Sequence, residues 1–408
     1  QDLMNSNTDV GIIGAGPAGV FAALSVRDFY NVNVTVFDWQ DALTTLLPTG
    51  GGRCNFSYFE TDNKTFASYY PRGSKFLLSV FSRFNMNDTV DYFENIGIKS
   101  YVQSDNRIFP ISDSSRVMAE ILLKRGNILG IKFIKKRVSL VFHDGENFVV
   151  STQDGDYKFK KLILATGGKN FKLARSFKHK IVRPTFTLAP LEIAEKKYYE
   201  LSGLSLKDVW VKVFLDGKKL LNLAGDILFT RNSISGPLVF KISSCCAYED
   251  YSEQNPLELQ INLVGQNYAY LDNFITDFKD KSPKVSIKNS FSPFCPKKLF
   301  EKILENNNID GMKQIAQMTN KEKDIILENL TAFKLHVTSK VLGTGIVTAG
   351  GVDTDEIDSA TMESKLVPNL FFAGEMINVD GFTGGFNLQN CWSTARVAAM
   401  SLFKEDEI

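Results

Sequence analysis

The sequence predicts an α/β fold: a Rossmann-type dinucleotide-binding domain, split in the chain by an inserted β-rich domain that carries a small helical segment. Three observations predict it. Residues 9–27 (DVGIIGAGPAGVFAALSVR) read as a buried strand, a glycine turn and the start of a helix. Two further buried runs, 162–168 (LILATGG) and 369–375 (NLFFAGE), end in small residues, as strands do where the chain passes close to a ligand. Between them, over about 190–335, the pattern changes to alternating strand-like stretches, so the nucleotide domain draws on both ends of the chain.

Taken in order, the first unit assigns each glycine a separate task. Gly14 makes the tight turn, Gly16 lets the backbone approach a pyrophosphate, and Gly19 lets the helix lie close to the strand. Pro17 and Ala18 complete the turn, and the N–H groups and positive dipole end of the helix then hold the diphosphate. A second strand at 32–37 (VNVTVF) leads into Asp38, whose carboxylate is placed to meet the adenosine ribose hydroxyls. A glycine-rich loop follows at 49–55 (TGGGRCN).

Residues 56–126 read as mostly helical, with an extended segment at 106–110 (NRIFP). Short strands at 131–134, 138–142, 147–151 and 157–159, with turns HDGE and QDGD, suggest a small antiparallel meander. In the insertion, 209–215 and 257–263 alternate as strands, and 297–332 reads as two or three short helices. The expected domains are therefore 1–189 (nucleotide domain, first part), 190–335 (insertion) and 336–408 (nucleotide domain, second part).

The third run ends in Gly374 and Glu375, a carboxylate suited to accept a hydrogen bond from a ribityl hydroxyl. Residues 380–387 (DGFTGGFN) then open a helix that continues through Ala398. Its N-terminus, aimed at the pyrimidine edge of an isoalloxazine, would stabilise the negative charge of a reduced flavin. An NAD-only protein would need the first glycine cluster and neither of the others, so the three together predict FAD. A second GxGxxG in a strand–helix setting is missing from the sequence, and NAD(P)H is expected only as a transient donor stacking on the flavin.

These residues resemble the BaiN-like NAD(P)/FAD-dependent oxidoreductases, also called aminoacetone-oxidase-type FAD-binding proteins. The resemblance runs through GAGPAG at 14–19, GGGRCNFS at 50–57, YPRGSKF at 70–76, RIFPISD at 107–113 and LILATGG at 162–168. It continues through LSGLSLKDV at 201–209, LFTRNSISGP at 228–237, VTAGGVD at 347–353 and the long segment 361–389. It implies a glutathione-reductase-like FAD domain with a barrel-like insertion and a non-covalent FAD. The implied cofactor contacts are Gly14, Gly16, Pro17, Ala18, Gly19 and Asp38, where the family more often has Glu, then Gly52, Arg53, Cys54 and Asn55. Val138 is implied at the adenine through its backbone, Ala165, Thr166 and Gly167 at the second cluster, and Gly374, Glu375, Asp380, Gly384, Gly385, Phe386 and Asn387 at the third. The chain departs from the family at Leu43-Thr44-Thr45, where two cations are lost, at Lys169-Asn170-Phe171, at Arg231-Asn232-Ser233 and at Asn378.

Composition sets the remaining expectations. Hydrophobic content of 44%, charged content of 23% and a net charge of +1 fit a globular enzyme with a small-molecule substrate and no global field for nucleic acid or membrane. Five cysteines without CxxC or zinc spacing predict no metal site and fit a reducing cytoplasm. Cys54 is expected to pack rather than react, and Cys245-Cys246 to be buried thiols. Of three histidines, only His336 is placed to approach an active site, and no residue stands out as an obligatory general base. The predicted activity is hydride transfer between NAD(P)H or a small organic substrate and FAD. Competing readings are a structural or regulatory flavin, a small-amine oxidase using O₂, and a nucleic-acid-modifying flavoprotein, against which the near-neutral charge and the missing basic-aromatic stripe argue.

Overall fold

The computed structural model describes residues 10–403; the polar leader at 1–8 lies outside them. The chain divides into two compact units, one of residues up to Phe186 and from Val347, the other of Thr187–Ile346.

The first unit is built on a five-stranded parallel sheet in the spatial order Leu370–Phe372, Lys161–Leu164, Val10–Ile13, Val34–Asp38, Lys132–Lys135. Its three inner strands are buried along almost their whole length, which is why they read as continuous apolar runs rather than alternating ones. Helix Pro17–Phe29 follows the first strand and packs along the C-terminal helix Phe386–Met400, with Phe21 edge-on to Trp392 at 5.3 Å between ring centroids.

The strand expected at 131–134 forms at Lys132–Lys135, but it pairs in parallel with Val34–Asp38 and leaves the meander to the three strands Leu140–His143, Phe148–Thr152 and Gly155–Phe159. The expected helical stretch 56–126 contains helices Asn63–Ser68, Ser74–Phe81, Met86–Asn95 and Ser115–Ile128. It also holds a small antiparallel sheet of Ser57–Tyr58, Arg107–Pro110 and Ser100–Val102. Strands of two to four residues are too short to show a period, and only the central one was expected as extended chain.

The second unit is a closed six-stranded barrel in the order Leu191–Ile193, Ser233–Ser235, Lys218–Phe229, Ser205–Leu215, Leu257–Asn262, Phe333–Lys340. Side chains alternate: Val209, Val211, Val213, Leu257, Leu259, Ile261, Leu335 and Val337 fill the interior, and the polar residues between them face out. The closing strand runs to Lys340, beyond the boundary expected at 335. Helices are more extensive than expected. Besides Lys297–Asn306 and Asn320–Thr331, the unit has Tyr268–Lys281, capped by the Asn267 side chain on the Tyr270 N–H, and Pro237–Cys245.

Candidate functional site

The three small-residue clusters meet at the C-terminal ends of the parallel strands, where ligands of such sheets bind. The Ala165 N–H donates to the Ile13 carbonyl at 2.8 Å, and the Ala373 N–H donates to that of Leu164 at 3.0 Å. Contact is close enough to require glycine. A Cβ on Gly14, at φ +107°, would lie 2.1 Å from the Ala165 oxygen, and one on Gly19 would lie 1.7 Å from the Gly14 oxygen. A Cβ on Gly374 would fall 2.7 Å from the Ala18 methyl, joining the third cluster to the first.

Two helices begin at this point without side-chain caps and without an acidic residue in the first turn. One starts at Gly16-Pro17, the other at Gly385-Phe386. The first N–H groups of a helix have no intrahelical partner, so each start offers donors and a positive dipole end to an anion. The segment 43–45 closes over the first turn: the Leu43 N–H donates to the Ala15 carbonyl at 2.7 Å, and the Thr45 hydroxyl lies 3.3 Å from where a Gly16 Cβ would be.

Asp38 sits at the end of its strand, with Oδ2 accepting from the Ala15 N–H at 2.7 Å and Oδ1 from the Gln40 N–H at 3.0 Å. Val138 lies in the connection after Lys132–Lys135, half-buried against the core. In the loop 49–55, Gly50, Gly51, Gly52 and Cys54 all take left-handed φ, and Gly51 and Gly52 face open space. Gly167 faces open space as well, and the Thr166 hydroxyl donates to the Asn170 carbonyl at 2.8 Å.

Like those of Asp38 and Thr166, the side chains of other expected contacts are committed within the protein. Arg53 is clamped: its guanidinium donates to Asp113 at 3.0 Å and to the Tyr101 hydroxyl at 2.5 Å, and lies 4.1 Å over the Phe109 ring. Asp380 is fully buried and paired bidentately with Arg72, Nε to Oδ1 at 2.5 Å and Nη2 to Oδ2. Phe386 is buried in an aromatic cluster, stacked on Tyr69 at 4.6 Å, and its carbonyl accepts from the Tyr70 hydroxyl at 2.6 Å, which leaves the N–H at the helix start for a ligand. Asn387 ties the 381–387 loop shut through the Gly381 N–H and carbonyl, each at 2.9 Å. Gly384 and Gly385 both adopt left-handed φ inside this loop.

Glu375 Oε1 accepts from the Thr348 N–H at 2.9 Å. Burial pushes its carboxyl up, and the backbone hydrogen bonds of Thr348 and Gly168 oppose that. Cys54 is fully buried, and burial pushes its thiol up to about 12. His336 sits on the barrel, with Nδ1 at 2.6 Å from Glu195 Oε1 and Nε2 at 3.7 Å from Glu258. His179 is buried between Glu356 and Ser364, each at 2.9 Å.

Sequence reasoning missed Arg72 and Gln389. Arg72 lay in the YPRGSKF motif, which was a signal; its partner, 308 residues away, was not. Gln389 holds a buried network, accepting from Ser57 at 2.7 Å and donating to Thr89 at 2.7 Å and Ser393 at 2.9 Å, which fixes the C-terminal helix beneath the site.

The residues fit FAD. Gly51, Gly52 and Gly167 leave space where a side chain would stand, and the two uncapped helix starts offer N–H donors. The buried Oδ1 atoms of Asn55 and Asn390 have no hydrogen-bond partner among the described residues. Among those residues there is no cluster able to hold a metal, and no helix is long and apolar enough to cross a membrane.

Comparison with known proteins bears on this site. The family model described as "HI0933-like protein Rossmann domain" matches residues 8–401. A ribosomal RNA dihydrouridine synthase of Haemophilus influenzae is 31% identical over 97% of this chain and 98% of its own length. One of Escherichia coli is 27% identical over 97% and 98%. A 3-dehydro-bile acid delta(4,6)-reductase of Clostridium scindens is 25% identical over 95% and 97%. Among solved structures, the 3-ketosteroid delta1-dehydrogenase of Sterolibacterium denitrificans matches 97% of this chain and 99% of its own with a TM-score of 0.51; at 11% identity, the likeness is one of fold.

Proposed function

This chain belongs to the HI0933-like Rossmann family of FAD-dependent oxidoreductases, and from that premise we propose that it reduces a carbon–carbon double bond conjugated to a carbonyl, with uridine in RNA as the substrate and NAD(P)H as a transient electron donor. One observation carries the reading: the likeness, end to end, to two proteins named ribosomal RNA dihydrouridine synthase. Dihydrouridine is uridine with two hydrogens added across a double bond conjugated to a uracil carbonyl. A delta(4,6)-reductase of a 3-dehydro steroid acts, by its name, on the same kind of bond.

FAD, when bound, supplies the hydride chemistry such a reduction needs. The chain's own part is binding and polarisation. The helix at Pro17 would hold the diphosphate, with Gly16 and Ala18 at the approach, while Gly14 and Gly19 let the turn, strand and helix close on one another. The start of the helix at Phe386 would place its dipole against the pyrimidine edge, and the Arg72–Asp380 pair holds the loop that leads into it. Asn55 and Asn390 would find partners in the ligand. A net charge of +1, from which no nucleic-acid partner was expected, is no obstacle to an enzyme that takes a single base out of a strand, because local surface rather than total charge sets that contact.

The test has two steps. Anaerobic mixing of the FAD-loaded protein with NADH or NADPH is expected to bleach the flavin. The reduced protein is then expected to form dihydrouridine in unmodified, in vitro-transcribed ribosomal RNA, read by mass as a gain of two hydrogens. A flavin that stays oxidised with both nucleotides overturns the reductase reading and turns the search to amine oxidation. Bleaching without RNA product, but with turnover of a 3-oxo steroid dienone, replaces RNA by a small molecule.

A further inference from the structure

We propose that the outer face of the barrel carries a docking groove for single-stranded RNA, centred on Trp210 and Lys212; the proposal rests on the RNA reading above. Strand register places outward side chains in two adjacent rows across four strands. One row runs Asn222, Lys212, Gln260, Lys334, and the next runs Ala224, Trp210, Asn262. With Thr331 and Ala332, the central residues line a concavity of about 250 Å³.

Trp210 is the observation that asks for a partner. It stands in the middle of a strand, 52% exposed, where its inward neighbours Val209 and Val211 are buried. No ring or cation packs on it among the described residues. Small Ala224 is its neighbour on one side. On the other is Asn262, whose amide is committed to the Gln266 carbonyl at 2.9 Å and to the N–H groups of Val264 and Gly265. The indole is thus held in a rigid wall with its surface open to solvent.

The surroundings are polar and positive rather than apolar. Lys212 makes no ion pair among the described residues. Lys334 lies 3.5 Å from Glu258, and Gln260 Nε2 donates to the same carboxylate at 2.6 Å, leaving the Gln260 oxygen and the Asn222 amide facing the groove. An aromatic platform beside an unneutralised lysine and side-chain amides is the combination that binds a single strand: a base stacks, a phosphate meets the cation, and amides reach base edges. A protein partner would be expected to find a larger apolar patch than one indole supplies.

The experiment measures binding apart from catalysis. Fluorescence anisotropy of a fluorescein-labelled oligouridylate RNA is followed with the full-length, FAD-loaded protein at several salt concentrations. Trp210→Ala is expected to weaken binding by about tenfold, and Trp210→Phe to restore most of it. Lys212→Ala is expected to lower the slope of log K against log salt by about 1. Circular dichroism and flavin reduction by NAD(P)H, both unchanged in the variants, would show that the fold and the flavin site are intact. RNA binding equal in wild type and Trp210→Ala overturns the proposal, as does no binding by the wild type, even if dihydrouridine forms. Loss of binding in Trp210→Ala without dihydrouridine formation by the wild type leaves the groove standing and fails the functional reading instead.

Discussion

Cys54 shows what one residue's surroundings decide. Its place in the loop 49–55 invites a redox role, yet only the thiolate is reactive, and burial holds this thiol near 12. Iodoacetamide on the native protein at mildly alkaline pH is therefore expected to spare Cys54, Cys246, Cys295 and Cys391, and to reach the half-buried Cys245 first. Cys54→Ser should leave the rate of flavin reduction unchanged; rapid alkylation of Cys54, mapped by mass spectrometry, would overturn this. The inert cysteine was legible from the missing CxxC partner. The carboxylates were less so. Asp380 is implied by the resemblance and Glu375 by its place at the end of a buried strand, and neither reading names the protein group that the carboxylate meets. Pairing with Arg72, 308 residues from Asp380, and with Thr348, 27 residues from Glu375, is set only when the chain folds back.

At the scale of elements, the glycines separate into two kinds, those that pack against the protein and those that face open space. Gly19 is required by the protein itself: an added Cβ would meet the Gly14 oxygen at 1.7 Å, so Gly19→Ala is expected to push the helix off the strand and destabilise the folded chain. Gly52 faces open space, so alanine there costs only the strain of its left-handed φ, about 1 kcal/mol, and is otherwise felt by what occupies the space. Gly52→Ala is therefore expected to lower FAD affinity with little change in urea unfolding of the FAD-free protein, whereas Gly19→Ala lowers both. Equal loss of stability in the two variants would contradict the division. The inner parallel strands were legible because burial on both faces makes them uniformly apolar. The sheet membership of Lys132–Lys135 was not, since a four-residue strand carries no record of its partner.

In the whole molecule, the switch from continuous to alternating hydrophobic pattern near residue 190 marks two separate interiors. One core joins residues up to Ala174 with those from Val352 onward; the other lies wholly within 191–337. Each closes on its own strands, one as a doubly covered sheet and the other as a barrel without edges. The residues that would hold FAD all belong to the first. A ligand that binds only a folded unit stabilises that unit by mass action, by about 2.7 kcal/mol at a hundredfold excess over its dissociation constant. For a unit of this size that corresponds to a rise of about 5–10 °C in its melting temperature. Scanning calorimetry of the full chain is accordingly expected to show two transitions, of which increasing FAD moves one and leaves the other in place. Gly52→Ala should reduce the FAD-dependent rise without altering the fixed transition. A single transition that moves as a whole would mean that the two cores unfold together, and that FAD binding is felt by the barrel as strongly as by the sheet that holds it.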